Sequence, residues 1–132
     1  TPELPDINGK MISVSSLKGK WVLVSFWSTA SAESMNELPA LRSIYNDYHK
    51  KGLEIFQVSL DPDPERWKNV VRFEEIPWIS VREADPENPV YSRLMNVTSL
   101  PSNLLYDPQG KIVNSNLTGR NLTIRMDQIF NQ

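Results

Sequence analysis

Trp21-Val22-Leu23-Val24-Ser25-Phe26-Trp27 is a nearly continuous apolar run, and it leads straight into Ser28-Thr29-Ala30-Ser31. Its β-branched and aromatic residues favour a strand buried on both faces, as in a parallel sheet. Beyond it, Met35, Leu38, Leu41, Tyr45 and Tyr48 recur at steps of three or four. That spacing lines one face of a helix. Pro39 falls inside the pattern, removes a backbone donor and is expected to kink the helix. Lys51-Gly52 reads as its C-terminal stop. Leu53-Glu54-Ile55-Phe56-Gln57-Val58-Ser59-Leu60 is a second strand. Strand, helix and strand in this order form a right-handed parallel unit.

Upstream, Asn8-Gly9 is a tight-turn dipeptide between two short extended pieces, the second being Met11 to Val14. Lys18-Gly19-Lys20 then breaks the chain before the first long strand. Downstream, Asp63 reads as a helix N-cap with Pro64 at the first helical position. A helix through Trp67, Val70, Val71 and Phe73 follows, and Trp78 to Val81 reads as a short extended piece. Pro89 to Met95 suggests another short helix. Asp107-Pro108-Gln109-Gly110 is a turn signal between Asn103–Tyr106 and Lys111–Val113. A last helix is expected over Leu122 to Phe130. The whole reads as an α/β fold, a mixed central sheet flanked by helices with an N-terminal β-hairpin. With no repeat and no linker, residues 1–132 are expected to form one domain.

The chain carries 14 Lys plus Arg against 16 Asp plus Glu, a formal net charge of −2, so no electrostatic footprint for nucleic acid exists. Hydrophobic residues at 39% and charged residues at 23% fit a globule rather than a disordered segment. The cysteine count is zero, which excludes a disulfide, a thiolate nucleophile, a Cys-ligated zinc and an iron–sulfur cluster. His49 is the sole histidine, so a multi-His metal site within one chain is also excluded. No metal and no cofactor are expected. No stretch approaches the roughly 18 apolar residues of a membrane span, so this segment is not expected to insert into a membrane. A chain starting at Thr1 reads as a mature or trimmed fragment.

Several motifs carry a family resemblance. Leu4-Pro5-Asp6, Leu17-Lys18-Gly19-Lys20 and the Trp21–Trp27 run resemble the start of a thioredoxin-like domain. The resemblance is to the thiol–disulfide oxidoreductases of bacterial envelopes (the TlpA/ResA-like group). Glu37-Leu38-Pro39-Ala40-Leu41 resembles that family's kinked first helix. Val97-Thr98-Ser99-Leu100-Pro101-Ser102 resembles its cis-proline loop. Leu104 to Val113 resembles its closing hairpin, and Asn116-Leu117-Thr118-Gly119 the entry to its last helix. Together these span about Leu4 to Phe130. The resemblance implies a thioredoxin fold, a cis Leu100–Pro101 bond and a bacterial envelope or periplasmic address.

The departure falls where the family's chemistry sits. The family carries Trp-Cys-x-x-Cys at the helix start; here Ala30-Ser31-Ala32-Glu33-Ser34 stands in that place. Ser31 and Ser34 occupy the two cysteine positions. A serine hydroxyl has no accessible redox couple, so no catalytic residue is expected at either. The same gap excludes the related peroxide-reducing enzymes. Two readings of the serines stay open: natural divergence, and an oxidoreductase whose cysteines were replaced by serine. Divergence is favoured because Ala30 and Ala32-Glu33 also differ from the family. A serine-based enzyme would need a base within reach. His49 lies about 22 Å from Ser34 along the same expected helix. The plainer reading makes Ser31 an N-cap, with Glu33 or Ser34 supporting the first turn.

The resemblance also implies a groove built by Trp27, Ser31, Ala32, Glu33, Ser34, Leu100 and Pro101, with Trp78 nearby. Without thiols two readings of the groove stay open: it holds an extended peptide or protein partner by strand addition, or groove and proline persist only because the fold needs them. Either way the domain is expected to be a non-catalytic binding or structural module of a larger envelope protein. His49 beside Lys50 and Lys51 reads as a solvated face. Asp61 to Glu65 reads as a capping segment rather than a calcium loop. Glu83 to Glu87 reads as a solvated turn. The Asn-x-Thr triplets at Asn96, Asn116 and Asn121 read as chance.

Overall fold

The computed structural model describes residues 1–131. Two short strands, β1 (Leu4–Pro5) and β2 (Met11–Ile12), pair antiparallel across the Asn8-Gly9 turn. The extended piece expected to reach Val14 stops at Ile12. Val14–Leu17 is instead a 3-10 turn, closed by the Ser16 N–H and hydroxyl on the Ser13 carbonyl. Serines that bond their own backbone compete with a strand ladder in this way.

The main sheet runs β5 (Ile79–Arg82), β4 (Leu53–Ser59), β3 (Trp21–Trp27), β6 (Ser102–Tyr106), β7 (Ile112–Ser115). β3, β4 and β5 are parallel, and β6 and β7 are antiparallel additions, so the sheet is mixed as expected. Strand alternation divides the core in two. Leu23 and Trp27 of β3, Leu53 and Ile55 of β4, and Leu105 of β6 face one side. Val22, Val24 and Phe26, then Phe56 and Val58, then Tyr106, face the other. Both faces of the central strands are apolar because both are covered.

The first face is covered by α2 (Leu38–Tyr48), α3 (Pro64–Phe73) and α5 (Gly119–Phe130), which bury Leu38, Leu41, Ile44, Tyr48, Trp67, Val71, Leu122 and Met126. The second carries the N-terminal hairpin, the 3-10 turn and α4 (Tyr91–Leu94), through Leu4, Val14 and Tyr91. The Leu122–Phe130 helix starts earlier than expected, at Gly119.

Three expectations are corrected. The helix after β3 is broken rather than merely kinked: α1 (Ala32–Asn36) ends at Glu37 and α2 begins at Leu38. Pro39 has no N–H to give to the carbonyl of Met35 and clashes with it, so Pro39 sits in the first turn of a new helix. Phe73 lies 85% exposed, outside the core face of α3. His49 is not a free solvated side chain: it is half-buried, stacked on Tyr45, with Nδ1 at 3.1 Å from the Leu53 carbonyl.

Candidate functional site

The parallel strands β3, β4 and β5 all end at the same edge of the sheet, and the candidate site is built there. β3 ends at Trp27, and Ser28 to Ser31 turn the chain into α1. Ser31 holds an extended conformation (φ −95°, ψ 118°), and its Oγ accepts the Ser34 N–H at 3.2 Å. It is the N-cap of α1, satisfying a donor the helix would otherwise leave free. Ser31 Oγ also reaches Glu33 Oε2 at 3.4 Å. Ser34 is fully buried, and its Oγ accepts the Ser28 N–H at 3.3 Å.

The turn is fixed from beneath by a residue outside it. Asp61, just past β4, is 1% exposed. Its carboxylate accepts from Ser28 Oγ (3.0 Å), Thr29 N–H (2.9 Å), Thr29 Oγ1 (2.8 Å) and Ser59 Oγ (2.5 Å). Among the described residues the ion pairs are Arg42–Glu74 and Lys68–Glu65, so hydrogen bonds alone accommodate this buried carboxylate. Arg66 reaches Thr29 Oγ1 and the Thr29 carbonyl, and Arg82 donates to the carbonyls of Asp61 and Pro62. The segment from Asp61 to Glu65 therefore does two jobs. Asp63 caps α3 through the Glu65 N–H at 3.0 Å, as expected, while Asp61 anchors the turn before α1.

Glu83 overturns the solvated-turn expectation for its segment. It is 1% exposed and accepts from the N–H groups of Val90 and Ser92 and from the Ser92 hydroxyl. Those bonds tie the end of β5 to the start of α4, the helix that leads to the Leu100–Pro101 loop. The Leu100–Pro101 peptide is cis. Phe26 pairs with Ser102, so the loop that ends in Pro101 enters β6 beside the end of β3. The loop and the Ser28–Ser31 turn thus share one edge.

The residues expected to line a groove divide by access. Ala32 and Glu33 are exposed, and Ser31, Leu100 and Pro101 are half-buried. Trp27 and Ser34 are each 0% exposed and form the floor below. Trp78 is buried as well, its indole N–H donating to Gln57 Oε1 at 2.8 Å. Glu37, at the junction of α1 and α2, is half-buried. Burial pushes its carboxyl above the usual carboxylate range. Among the described residues no group of three or more His, Asp or Glu side chains converges to hold a metal ion.

With this geometry in view, residues 2–115 match the AhpC/TSA family. The chain belongs to the AhpC/TSA family. Within it, the chain is close to ResA-like thiol–disulfide oxidoreductases. It is 31% identical over 109 residues to the thiol-disulfide oxidoreductase ResA of Bacillus cereus, covering 82% of this chain and 61% of that protein. It is 30% identical over 110 residues to ResA of Bacillus subtilis, covering 83% and 60%. The chain thus spans about 60% of the length of these curated relatives.

Among solved structures it resembles the thioredoxin domain of a thiol-disulfide oxidoreductase from Bacteroides vulgatus. The TM-score there is 0.88 and the identity 31%, over 98% of this chain and 92% of that one. A second thioredoxin-like protein from Bacteroides vulgatus gives a TM-score of 0.83 at 34% identity, over 98% and 84%. The thioredoxin-like fold of this AhpC/TSA member follows, together with its place in the thiol–disulfide oxidoreductase group. The sequence itself adds that it holds no cysteine.

Proposed function

We propose that this domain is a redox-inactive module that binds an extended peptide or protein partner at the edge between Ser31 and Leu100–Pro101. The observation that carries the reading is the Asp61 network. A buried carboxylate with four donors still holds the Ser28–Ser31 turn in a fixed shape although no thiol is present to be positioned. The exposed Ala32 and the half-buried Leu100 and Pro101 leave apolar surface along that edge, with the exposed Glu33 adding a charge. Strand addition supplies affinity through main-chain hydrogen bonds and needs no sulfur.

The resemblance to the TlpA/ResA-like group supports extending the proposal to a module of a larger protein of the bacterial envelope or periplasm. No helix among the described residues is long and apolar enough to cross a membrane.

Two measurements test the reading. In an insulin-reduction assay the protein gives no turnover above background; measurable turnover overturns the redox-inactive part. In an NMR titration with a library of unstructured peptides, binders shift the amides of Ser31, Ala32 and Ser102. Leu100→Glu abolishes those shifts while preserving the fold. Binders whose shifts fall elsewhere overturn the groove.

A second reading keeps the domain as an oxidoreductase whose cysteines have been exchanged for serine. The one-turn spacing of Ser31 and Ser34 at a helix start favours it. Restoring the two cysteines separates the readings, as argued below at the scale of the helix.

A further inference from the structure

At the opposite end of the sheet, where β3 begins, a cavity of about 220 Å³ opens between the 3-10 turn and the β6–β7 turn. Its floor is apolar: Val14, Val22 and Tyr106 are buried and Leu17 is half-buried. The walls are fixed to one another. Gly19 N–H donates to the Pro108 carbonyl at 2.8 Å, joining the Lys18–Lys20 loop to the β6–β7 turn. The Lys18 stem crosses Gly110 so closely that a Cβ there would lie 3.1 Å from Lys18 Cε.

The rim of this apolar cavity is cationic. Lys18 and Lys20 both line it, and neither forms an ion pair among the described residues. The opposing acid is Asp107, whose Oδ1 already accepts the N–H groups of Gln109 and Lys111 at 3.0 Å each. Two cations face one carboxylate that is committed to its own turn, so the rim carries an excess of positive charge. An apolar floor beneath a cationic rim matches a ligand with a compact apolar body and one anionic head. The volume lies below the roughly 300–1,000 Å³ of sites for drug-sized ligands, which sets a small size.

We propose that this cavity is a binding site for small apolar carboxylates, with the body against Val14, Val22 and Tyr106 and the carboxylate between Lys18 and Lys20. The site is independent of the groove at Ser31, because the two lie at opposite ends of β3.

The test uses phenylacetate as probe and phenylacetamide as its neutral isostere, followed by amide NMR. Phenylacetate shifts Val22, Tyr106 and Gly110, with a dissociation constant of roughly a millimolar for about ten non-hydrogen atoms. Phenylacetamide and the double variant Lys18→Gln/Lys20→Gln each bind about tenfold more weakly, since each removes the charge-assisted contact. Both lysines are exposed, so the double variant retains the fold, which circular dichroism checks. Equal binding of acid and amide overturns the proposal. So does undiminished binding to the double variant, or an absence of shifts around the cavity.

Discussion

Asp61 leaves the end of β4 with its carboxylate shut away from water and encircled by hydroxyls and one N–H. Replacing it by Ala leaves those donors without their acceptor, and each unsatisfied buried group costs about 1–3 kcal/mol. Asp61→Ala is therefore expected to lose about 3 kcal/mol or more in urea denaturation, some hydroxyls turning to new partners. Asp63→Ala, two residues on, removes only a helix cap and should cost about 1 kcal/mol. Equal losses would show that the turn before α1 does not depend on Asp61. Glu37 tests burial with the opposite sign. Its carboxyl is raised by desolvation, so between its unfolded and folded pKa values the native state binds more protons than the unfolded one. Stability from this group is present below its ordinary value of 4.5 and is lost as pH rises through the folded value. Glu37→Gln should then raise the denaturation midpoint at pH 7 and flatten its pH dependence above pH 4.5; an unchanged midpoint would contradict the burial. Neither Asp61 nor Glu83 was legible in sequence as a buried acid. Asp61 to Glu65 reads as a capping segment and Glu83 to Glu87 as a solvated turn, and the Thr29 and Ser28 groups that Asp61 holds lie 32 and 33 residues upstream. Only the tertiary fold brings them together.

At the scale of elements, the long apolar strand, its neighbour and the helical spacing between them were legible, because both faces of β3 and one face of α2 are core. The break at Glu37 was not placed correctly. Proline chemistry predicts a disruption near Pro39, but the start of a new helix puts the boundary before it. The short α1 that results is where restored cysteines would act. Ser31→Cys plus Ser34→Cys places one sulfur at the helix N-cap, half-exposed, and the second one turn on and buried. The pair is expected to close a disulfide, seen as loss of free thiol on air oxidation. The Ser34 N–H now held by Ser31 favours a thiolate at position 31. Glu33 opposes it, because Oε2 stands 3.4 Å from Ser31 Oγ and a like charge there raises the thiol's pKa. The double variant should reduce insulin slowly, and adding Glu33→Gln should lower the thiol pKa and speed it. Fast turnover with Glu33 in place would show the carboxylate is harmless. Failure to form the disulfide would mean that more than sulfur separates this turn from the family's.

Across the whole molecule, the order of elements sufficed to foresee a mixed sheet, because a parallel unit followed by a hairpin leaves few alternatives. Pairing between distant side chains was not foreseeable, and one such pair links the two halves of the second core. Tyr91 of α4 and Tyr106 of β6 share a hydrogen bond of 2.6 Å between their hydroxyls, both rings being buried. Tyr106→Phe takes this partner from the Tyr91 hydroxyl, and Tyr91→Phe leaves the Tyr106 hydroxyl only the weak Met95 sulfur at 3.9 Å, so each should cost about 1 kcal/mol. The double variant should cost less than the sum, since no polar group is then left alone. The same pair sets an alkaline limit on the fold. Burial, then the bond to Tyr106, pushes the Tyr91 phenol far above its ordinary 10.0, and burial raises Tyr106 as well. Above the unfolded value the unfolded chain has released protons that the native state retains, so stability falls as pH rises past about 10. Phenolate absorbance from Tyr91 and Tyr106 should therefore appear together with loss of circular dichroism. In Tyr91→Phe/Tyr106→Phe the unfolding midpoint should move to higher pH. Phenolate absorbance from either residue while the fold persists would show that the pair is open to solvent, and that α4 does not seal this side of the sheet.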